Sequence, residues 1–179
     1  MAVAFDGRAF RQVAGQFATG VTVIAMELDG TIRAMTANSF TTLSLDPPLV
    51  LFCPGKNTTT GKQIHAIRGF SVNILREEQQ DLSSFFAGLW KGVGPPYSFL
   101  QWEGGPRLEG SLAAMGCQVH AIHEGGDHWI VVGRVVALHR AESPCRPLVF
   151  FGGRYAELGA AHRTSDELPL IIAWSGPSG

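Results

Sequence analysis

Leu112-Ala113-Ala114-Met115-Gly116-Cys117-Gln118-Val119-His120-Ala121-Ile122 and Trp129-Ile130-Val131-Val132-Gly133-Arg134-Val135-Val136-Ala137-Leu138 are two long apolar runs, separated around Glu124-Gly125-Gly126-Asp127. β-Branched residues favour a pleated, half-buried surface, and glycine beside an acidic residue is tight-turn chemistry. The pair therefore predicts a long antiparallel hairpin. Shorter runs of the same kind lie on both sides. Residues 21–26 are β-branched and apolar, and Leu28-Asp29-Gly30-Thr31 reads as a turn into a second strand over 32–40. Pro47-Pro48 marks a strand start, since proline lacks the N–H that a central ladder needs, and Leu49-Val50-Leu51-Phe52-Cys53 continues it. Phe70-Ser71-Val72-Asn73-Ile74-Leu75 alternates as a strand does, and residues 148–151 and 154–158 make a last pair across Gly152-Gly153. Helical signals are fewer. Phe10, Val13, Ala14, Phe17 and Ala18 recur at helical spacing and predict an amphipathic helix ending near Thr19-Gly20. Residues 58–67 predict a short helix with hydroxyls suited to N-capping, and 77–87 a second, followed by a Gly/Pro-rich loop through Pro96. Many strands, short turns and few helices argue for a mainly β fold: a closed barrel with helices packed outside, closure removing the sheet edges.

Composition sets the bounds. A chain of 179 residues fits one domain, and with 45% apolar and 16% charged residues it can build a core. So low a charged content also suggests that part of the surface is buried against a partner. The formal net charge is −1 and there is no Lys/Arg block, which argues against nucleic acid and anionic membrane as partners. No apolar run approaches the roughly 20 residues that span a bilayer, and the first residues lack an export signal's apolar core. Cys53, Cys117 and Cys145 are odd in number and widely spaced, which fits reduced thiols in a cytoplasmic protein better than disulfides or a zinc site.

Two clusters carry the chemistry. Thr36-Ala37-Asn38-Ser39-Phe40 and Lys56-Asn57-Thr58-Thr59-Thr60 flank the apolar run 49–53, and a strand through that run brings both to one sheet edge. Small side chains leave backbone N–H groups accessible and hydroxyls add donors, as a phosphate or a polar heterocycle requires. Either cluster alone is ordinary loop composition; the bracketing of one strand is what points to a nucleotide-like cofactor. His128 follows Asp127 at the hairpin mouth, and its neutral ring can accept or donate a hydrogen bond near neutral pH. His120 and His123 point to opposite strand faces and no Cys or carboxylate completes a ligand set, so no metal site is expected. There is no Gly-x-Ser-x-Gly elbow, no G-x-G-x-x-G fingerprint and no Walker P-loop. A bound dinucleotide must therefore use another scaffold.

Several segments in order carry a resemblance. They are Phe17-Ala18-Thr19-Gly20-Val21-Thr22-Val23, Met35-Thr36-Ala37-Asn38-Ser39-Phe40, Ser44-Leu45-Asp46-Pro47-Pro48-Leu49-Val50 and Phe70-Ser71-Val72-Asn73-Ile74-Leu75. Leu82-Ser83 with Phe86-Ala87, Gly126-Asp127-His128 leading to Gly133-Arg134-Val135, Pro147-Leu148 and Gly153-Arg154-Tyr155 complete them. Over residues 10–158 the chain resembles the flavin reductases of the FMN-binding split-barrel type, the small reductase components of two-component flavin monooxygenases.

That resemblance implies a six-stranded Greek-key split barrel over residues 1–159, with 160–179 as a C-terminal tail. It implies a homodimer with flavin near the subunit interface, hydride transfer from NADH or NADPH to FMN or FAD, and delivery of reduced flavin to a separate oxygenase. Its flavin-contacting positions fall on Met35, Thr36, Ala37, Asn38 and Ser39, on Cys53, Lys56, Asn57, Thr58 and Thr59, and on Phe86 and Ala87. Its nicotinamide positions fall on His128, the catalytic candidate, and on Tyr155. The chemistry is consistent, because the flavin performs the hydride transfer and no protein acid–base pair is required. On this reading Thr58 and Thr59 serve the phosphate, helped by Lys56 and a helix N-terminus. Ala34, preceded by Arg33, stands where the family often has glycine. The tail's Leu168-Pro169-Leu170-Ile171-Ile172-Ala173-Trp174 is too apolar to rest in water and is expected to pack across the dimer. A non-catalytic flavin carrier or sensor on the same fold is the alternative.

Overall fold

In the computed structural model, which describes residues 6–159, backbone pairing gathers the apolar runs into one dominant antiparallel sheet. The chain opens with helix α1 (Gly7–Ala14), its first turn capped by the Asp6 carboxylate accepting from the Arg8 N–H. Strands β1 (Thr19–Gly20), β2 (Thr22–Leu28), β3 (Thr31–Ala37), β4 (Phe40–Leu45) and β5 (Pro48–Phe52) follow. Next come helix α2 (Thr59–Gln63), a 3-10 turn (Ile64–Ala66), β6 (Gly69–Ile74), a second 3-10 turn (Glu77–Gln79) and helix α3 (Gln80–Phe86). β7 (Phe99–Leu100), β8 (Arg107–Leu108), the long hairpin β9 (Ala113–Gly125) and β10 (His128–Arg140), and the pair β11 (Val149–Phe151) and β12 (Arg154–Ala156) complete the described chain.

The main sheet has seven strands in the order β3-β2-β6-β9-β10-β5-β4. Its two edges, β3 and β4, are consecutive in the chain and separated only by Asn38-Ser39, so the sheet must curl until they approach. Both halves bury side chains in one core: Ile24 and Met26 of β2 and Ala37 of β3 with Val50 and Phe52 of β5, around Phe70, Cys117 and Val131. Among the described residues no ladder joins β3 to β4, and the barrel is split there. Phe52 and Phe70 meet edge to face with centroids 4.8 Å apart. Gly133 on β10 makes room for them, since a Cβ there would run into the Phe70 ring.

The outer face of β2 is also covered. Val21, Val23, Leu75, Leu82, Leu108 and Leu148 form a second core, with Phe86, Phe150 and Tyr155 packed against it. Covering on both faces is why residues 21–26 read as a continuous apolar run and not an alternating one. Polar contacts fix the register of this layer. The Asn73 side chain, fully buried, donates to the Val23 carbonyl at 3.0 Å and to Ser71 Oγ at 2.8 Å, and accepts from the Leu108 N–H at 2.8 Å. Ser71 Oγ in turn donates to the Pro106 carbonyl.

Two expectations change. α1 ends at Ala14, because Thr19-Gly20 finds strand partners in Phe150 and Val149 and is drawn into a ladder. The strand expected over 32–40 stops at Ala37, and the chain reverses at Asn38-Ser39 into β4, whose hydroxyl-rich sequence had not read as a strand. With β4 paired on β5, the sheet has the split-barrel architecture that the resemblance implies. The tail 160–179 lies outside the described residues.

Replacing Asn73 with Leu strands the Leu108 N–H and the Val23 carbonyl without their side-chain partner. Each orphaned buried group costs about 1–3 kcal/mol, so Asn73→Leu should lower unfolding free energy by about 2–6 kcal/mol. Urea denaturation of the two proteins measures this; an unchanged midpoint would show that the side-chain network is dispensable.

Candidate functional site

The β4–β5 ladder pairs Phe40 with Phe52, so the residues just beyond its end, Ser39 and Cys53, face each other. Ser39 Oγ donates to the Cys53 carbonyl at 3.1 Å and accepts from the Cys53 N–H at 3.2 Å. One hydroxyl thus ties the first small-residue cluster to the start of the second. Beyond Cys53 the chain keeps pairing with β10. The Trp129 N–H donates to the Pro54 carbonyl at 2.9 Å, the Lys56 N–H donates to the Asp127 carbonyl at 2.9 Å, and Gly55 bridges His128. Three segments far apart in sequence, 35–39, 53–59 and 126–128, therefore meet at one end of the sheet.

Strand alternation sorts the first segment. Met35 and Ala37 turn into the core, so only their backbone is available to a ligand. Thr36 and Asn38 face the other way and line a cavity of about 180 Å³ with Val21, Ser83, Ala87, Leu89, Phe150 and Tyr155. Serines of α3 tie its walls together. Thr36 Oγ1 donates to the Ser83 carbonyl at 2.7 Å, and the Tyr155 hydroxyl donates to Ser83 Oγ at 2.9 Å. Ser84 Oγ lies 3.4 Å from the same phenol oxygen. A larger hollow of about 370 Å³ adjoins, shares Asn38, and reaches Phe17 and Thr41. Ala87 borders the first cavity, whereas Phe86 belongs to an aromatic stack with Tyr97 and Phe99, at centroid distances of 5.0 and 6.0 Å.

The second segment has a different order from the one expected. Thr58 caps α2: its hydroxyl accepts from the Gly61 N–H at 3.0 Å and donates to the Gly55 carbonyl at 2.7 Å. With its one proton committed, the Thr58 hydroxyl shapes the loop and has only acceptor capacity left for a ligand. Asn57 and Thr59 are exposed, and their side chains make no hydrogen bond to the described residues, so these are the open donors. Gly61 permits the tight seat of α2, since a Cβ there would collide with the Gly55 carbonyl. The Lys56 ammonium lies 4.6 Å from the centroid of the Trp129 ring and 3.5 Å from Glu124 Oε2. Trp129 is itself held, its Nε1–H donating to the Gly61 carbonyl at 3.0 Å and its ring meeting His65 edge to face at 4.7 Å.

His128 Nδ1 lies 2.7 Å from Asp127 Oδ1. That hydrogen bond, with the charge of the ring, holds the Asp127 carboxyl below its ordinary value. The Nε2 side of the ring lies toward Gly55. Cys53 and Cys117 are not poised as nucleophiles: burial raises the Cys53 thiol and pushes Cys117 up to about 12. Among the described residues no group of His, Cys, Asp and Glu is placed to hold a metal ion. The donor set instead suits a flavin. Open amide and hydroxyl donors at Asn38, Asn57 and Thr59 stand with one cation at Lys56, and the cavity is walled by small residues and aromatics. Sequence reasoning missed Trp129, Glu124 and Ser84. Their roles depend on cross-strand register and on helix docking, for which short sequence patterns carry no signal.

Comparison with known proteins agrees. Residues 14–159 match the flavin reductase like domain. The chain is 43% identical over 160 residues to HsaB, the reductase subunit of a flavin-dependent monooxygenase of Rhodococcus jostii (strain RHA1), covering 86% of this chain and 79% of that protein. An NADH-dependent FAD reductase of Streptomyces globisporus is 38% identical over 152 residues, covering 81% and 82%. Among solved structures, the flavin reductase PheA2 superposes with a TM-score of 0.82 at 39% identity, covering 87% of this chain and 99% of that one. On the extent of these matches, the chain belongs to the flavin reductase like domain family.

Proposed function

We propose that this chain is an NAD(P)H:flavin oxidoreductase that supplies reduced flavin to a separate flavin-dependent oxygenase. The carrying observation is the backbone ladder that runs on past β5, from Trp129 N–H to the Pro54 carbonyl and from Lys56 N–H to the Asp127 carbonyl. It sets the Gly126-Asp127-His128 turn against loop 53–59. The relatives support the partner, since they include reductase components of monooxygenases, among them that of a 4-hydroxyphenylacetate 3-monooxygenase from Thermus thermophilus. They also include an FMN reductase that uses NADH and an FAD reductase that uses NADH, so both flavins belong to the proposal and NADH is the favoured reductant.

When bound, flavin supplies the acceptor for the nicotinamide hydride. The protein's tasks are then positional. Thr36 and Asn38, with the backbone of residues 35–39, hold the ring edge. Asn57, Thr59 and Lys56 hold the phosphate, and the Thr58 cap keeps their loop in shape. Ala87 closes one wall of the cavity, and Phe86 packs behind it with Tyr97 and Phe99. Asp127 holds the Nδ1 side of His128, which meets the nicotinamide from beside Gly55, and Tyr155 lines the cavity with Thr36 and Asn38. A homodimer belongs to the same proposal: Val13 and Phe17 near α1 and Leu43 and Leu45 on edge strand β4 are exposed apolar side chains that a second copy would cover. The free cysteines fit a reducing, cytoplasmic setting.

Purified protein should oxidise NADH in air only when flavin is supplied, read as loss of the reduced-nicotinamide absorbance. Flavin binding without such loss would instead indicate a carrier or sensor.

His128→Ala should raise the KM for NADH or slow flavin reduction while flavin affinity, measured by fluorescence titration, stays near the parent value. Wild-type kinetics at every NADH concentration would make His128 only a turn residue.

The loop separates by function. Thr59→Val should weaken FMN by about 1.5–3 kcal/mol and leave riboflavin unchanged, the worth of a hydrogen bond to a charged group. Thr58→Val should cost about 1 kcal/mol of stability through the lost cap. Equal losses of FMN and riboflavin in Thr59→Val would remove Thr59 from the phosphate site.

A further inference from the structure

Glu124 and Trp129 stand directly opposite each other in the β9–β10 ladder, so their side chains emerge on one face of the hairpin. The Lys56 side chain lies across that face, its ammonium 4.6 Å from the Trp129 ring centroid and 3.5 Å from Glu124 Oε2. The Lys56 side chain is 28% exposed and that of Glu124 76% exposed. Asp127, whose backbone carbonyl accepts from the Lys56 N–H, adds a second carboxylate near that loop, one held below its ordinary value chiefly by its hydrogen bond to His128 and least by the lysine charge. The one cation of the phosphate-side loop thus already has carboxylate company before any ligand arrives.

We infer that Glu124 is an affinity-setting residue: it competes with the flavin phosphate for the Lys56 ammonium and so keeps the grip on flavin weak. This rests on the proposed placement of the phosphate at Lys56. The physical case is simple. The Trp129 face and the backbone bond to Asp127 keep Lys56 at the loop whichever anion it serves. The ammonium can swing between a carboxylate and a phosphate without leaving the indole. Glu124 has no other ion-pair partner among the described residues, so its release into water costs little beyond the exposed pair itself. A protein that hands its product flavin to another enzyme gains turnover from loose binding, and a counter-anion on the anchoring lysine provides that looseness without altering the ring-side contacts.

The test uses the full chain, titrated with FMN and with riboflavin at low and high salt, in three variants: Glu124→Gln, Lys56→Met and the double replacement. Expected are an FMN affinity about two- to fivefold tighter in Glu124→Gln at low salt, the range of an exposed ion pair, and a gain that shrinks as salt is added. Riboflavin affinity should not move, a split that a merely structural role of Glu124 would not produce. The gain should vanish when Lys56 is already Met. If Lys56→Met weakens FMN selectively but Glu124→Gln leaves FMN unchanged or weaker, the competition is refuted while the phosphate site stands. If Lys56→Met leaves the FMN-to-riboflavin ratio unchanged, the phosphate placement itself fails, and the inference with it.

Discussion

The antiparallel pairing between the start of β10 and the segment just after β5 is the interaction on which the site depends. Inside the sheet, β5 and β10 pair from Leu49–Arg134 to Phe52–Val131. Beyond Phe52 the strand ends, but Pro54, Gly55 and Lys56 go on meeting Trp129, His128 and Asp127 by backbone contacts. Backbone hydrogen bonds are indifferent to side-chain identity, so this junction can hold loop 53–59 and the histidine turn in fixed relation whatever side chains they carry. Proline at 54 suits the place, since only its carbonyl is used there.

The second constraint is the double covering of β2. Its inner side chains, Ile24 and Met26, belong to the barrel core, while Val23, with Val21 just before the strand, belongs to the outer layer with α3 and the small β1-β11-β12 sheet. Because α3 is held by that layer, Ser83 is in place to receive Tyr155 and, through its carbonyl, Thr36. The hydroxyls at the cavity are therefore fixed by packing from behind, which limits the entropy they would lose on meeting a ligand.

How much of this was legible in the sequence follows from the range of each interaction. The β9–β10 hairpin, the Leu28–Thr31 turn and α3 were readable because pattern and turn chemistry act over a few neighbours. Asp29 and Gly30 do adopt the left-handed conformations that the turn requires. β4 was not readable: Thr41, Thr42 and Ser44 look like loop, and only pairing with β5 makes them a strand. The end of α1 was misplaced for the same reason, since Thr19-Gly20 is drawn into a ladder by residues more than a hundred positions later. At the site, the bracketing of one strand by two small-residue clusters correctly implied a common edge. That the Thr58 hydroxyl donates to the Gly55 carbonyl is not legible in the sequence, because composition carries no signal for an internal hydrogen bond.

These differences share a cause that also bears on how such a site works. Groups whose hydrogen bonds are satisfied inside the protein, such as Thr58, Ser39 and Ser83, build the frame. Groups left without internal partners among the described residues, such as Asn57 and Thr59, stay open to solvent. The frame is built from carbonyl–hydroxyl and carbonyl–amide pairs that do not depend on ionisation, so it should keep its shape as a charged ligand comes and goes. Such open groups are neutral and exposed to water, and a hydrogen bond from one of them to a ligand would contribute only modestly to binding. A rigid frame with a small number of weak, solvated contacts gives defined orientation without tight retention. Orientation is what hydride transfer between two bound rings requires, and modest retention is what allows one of them to leave.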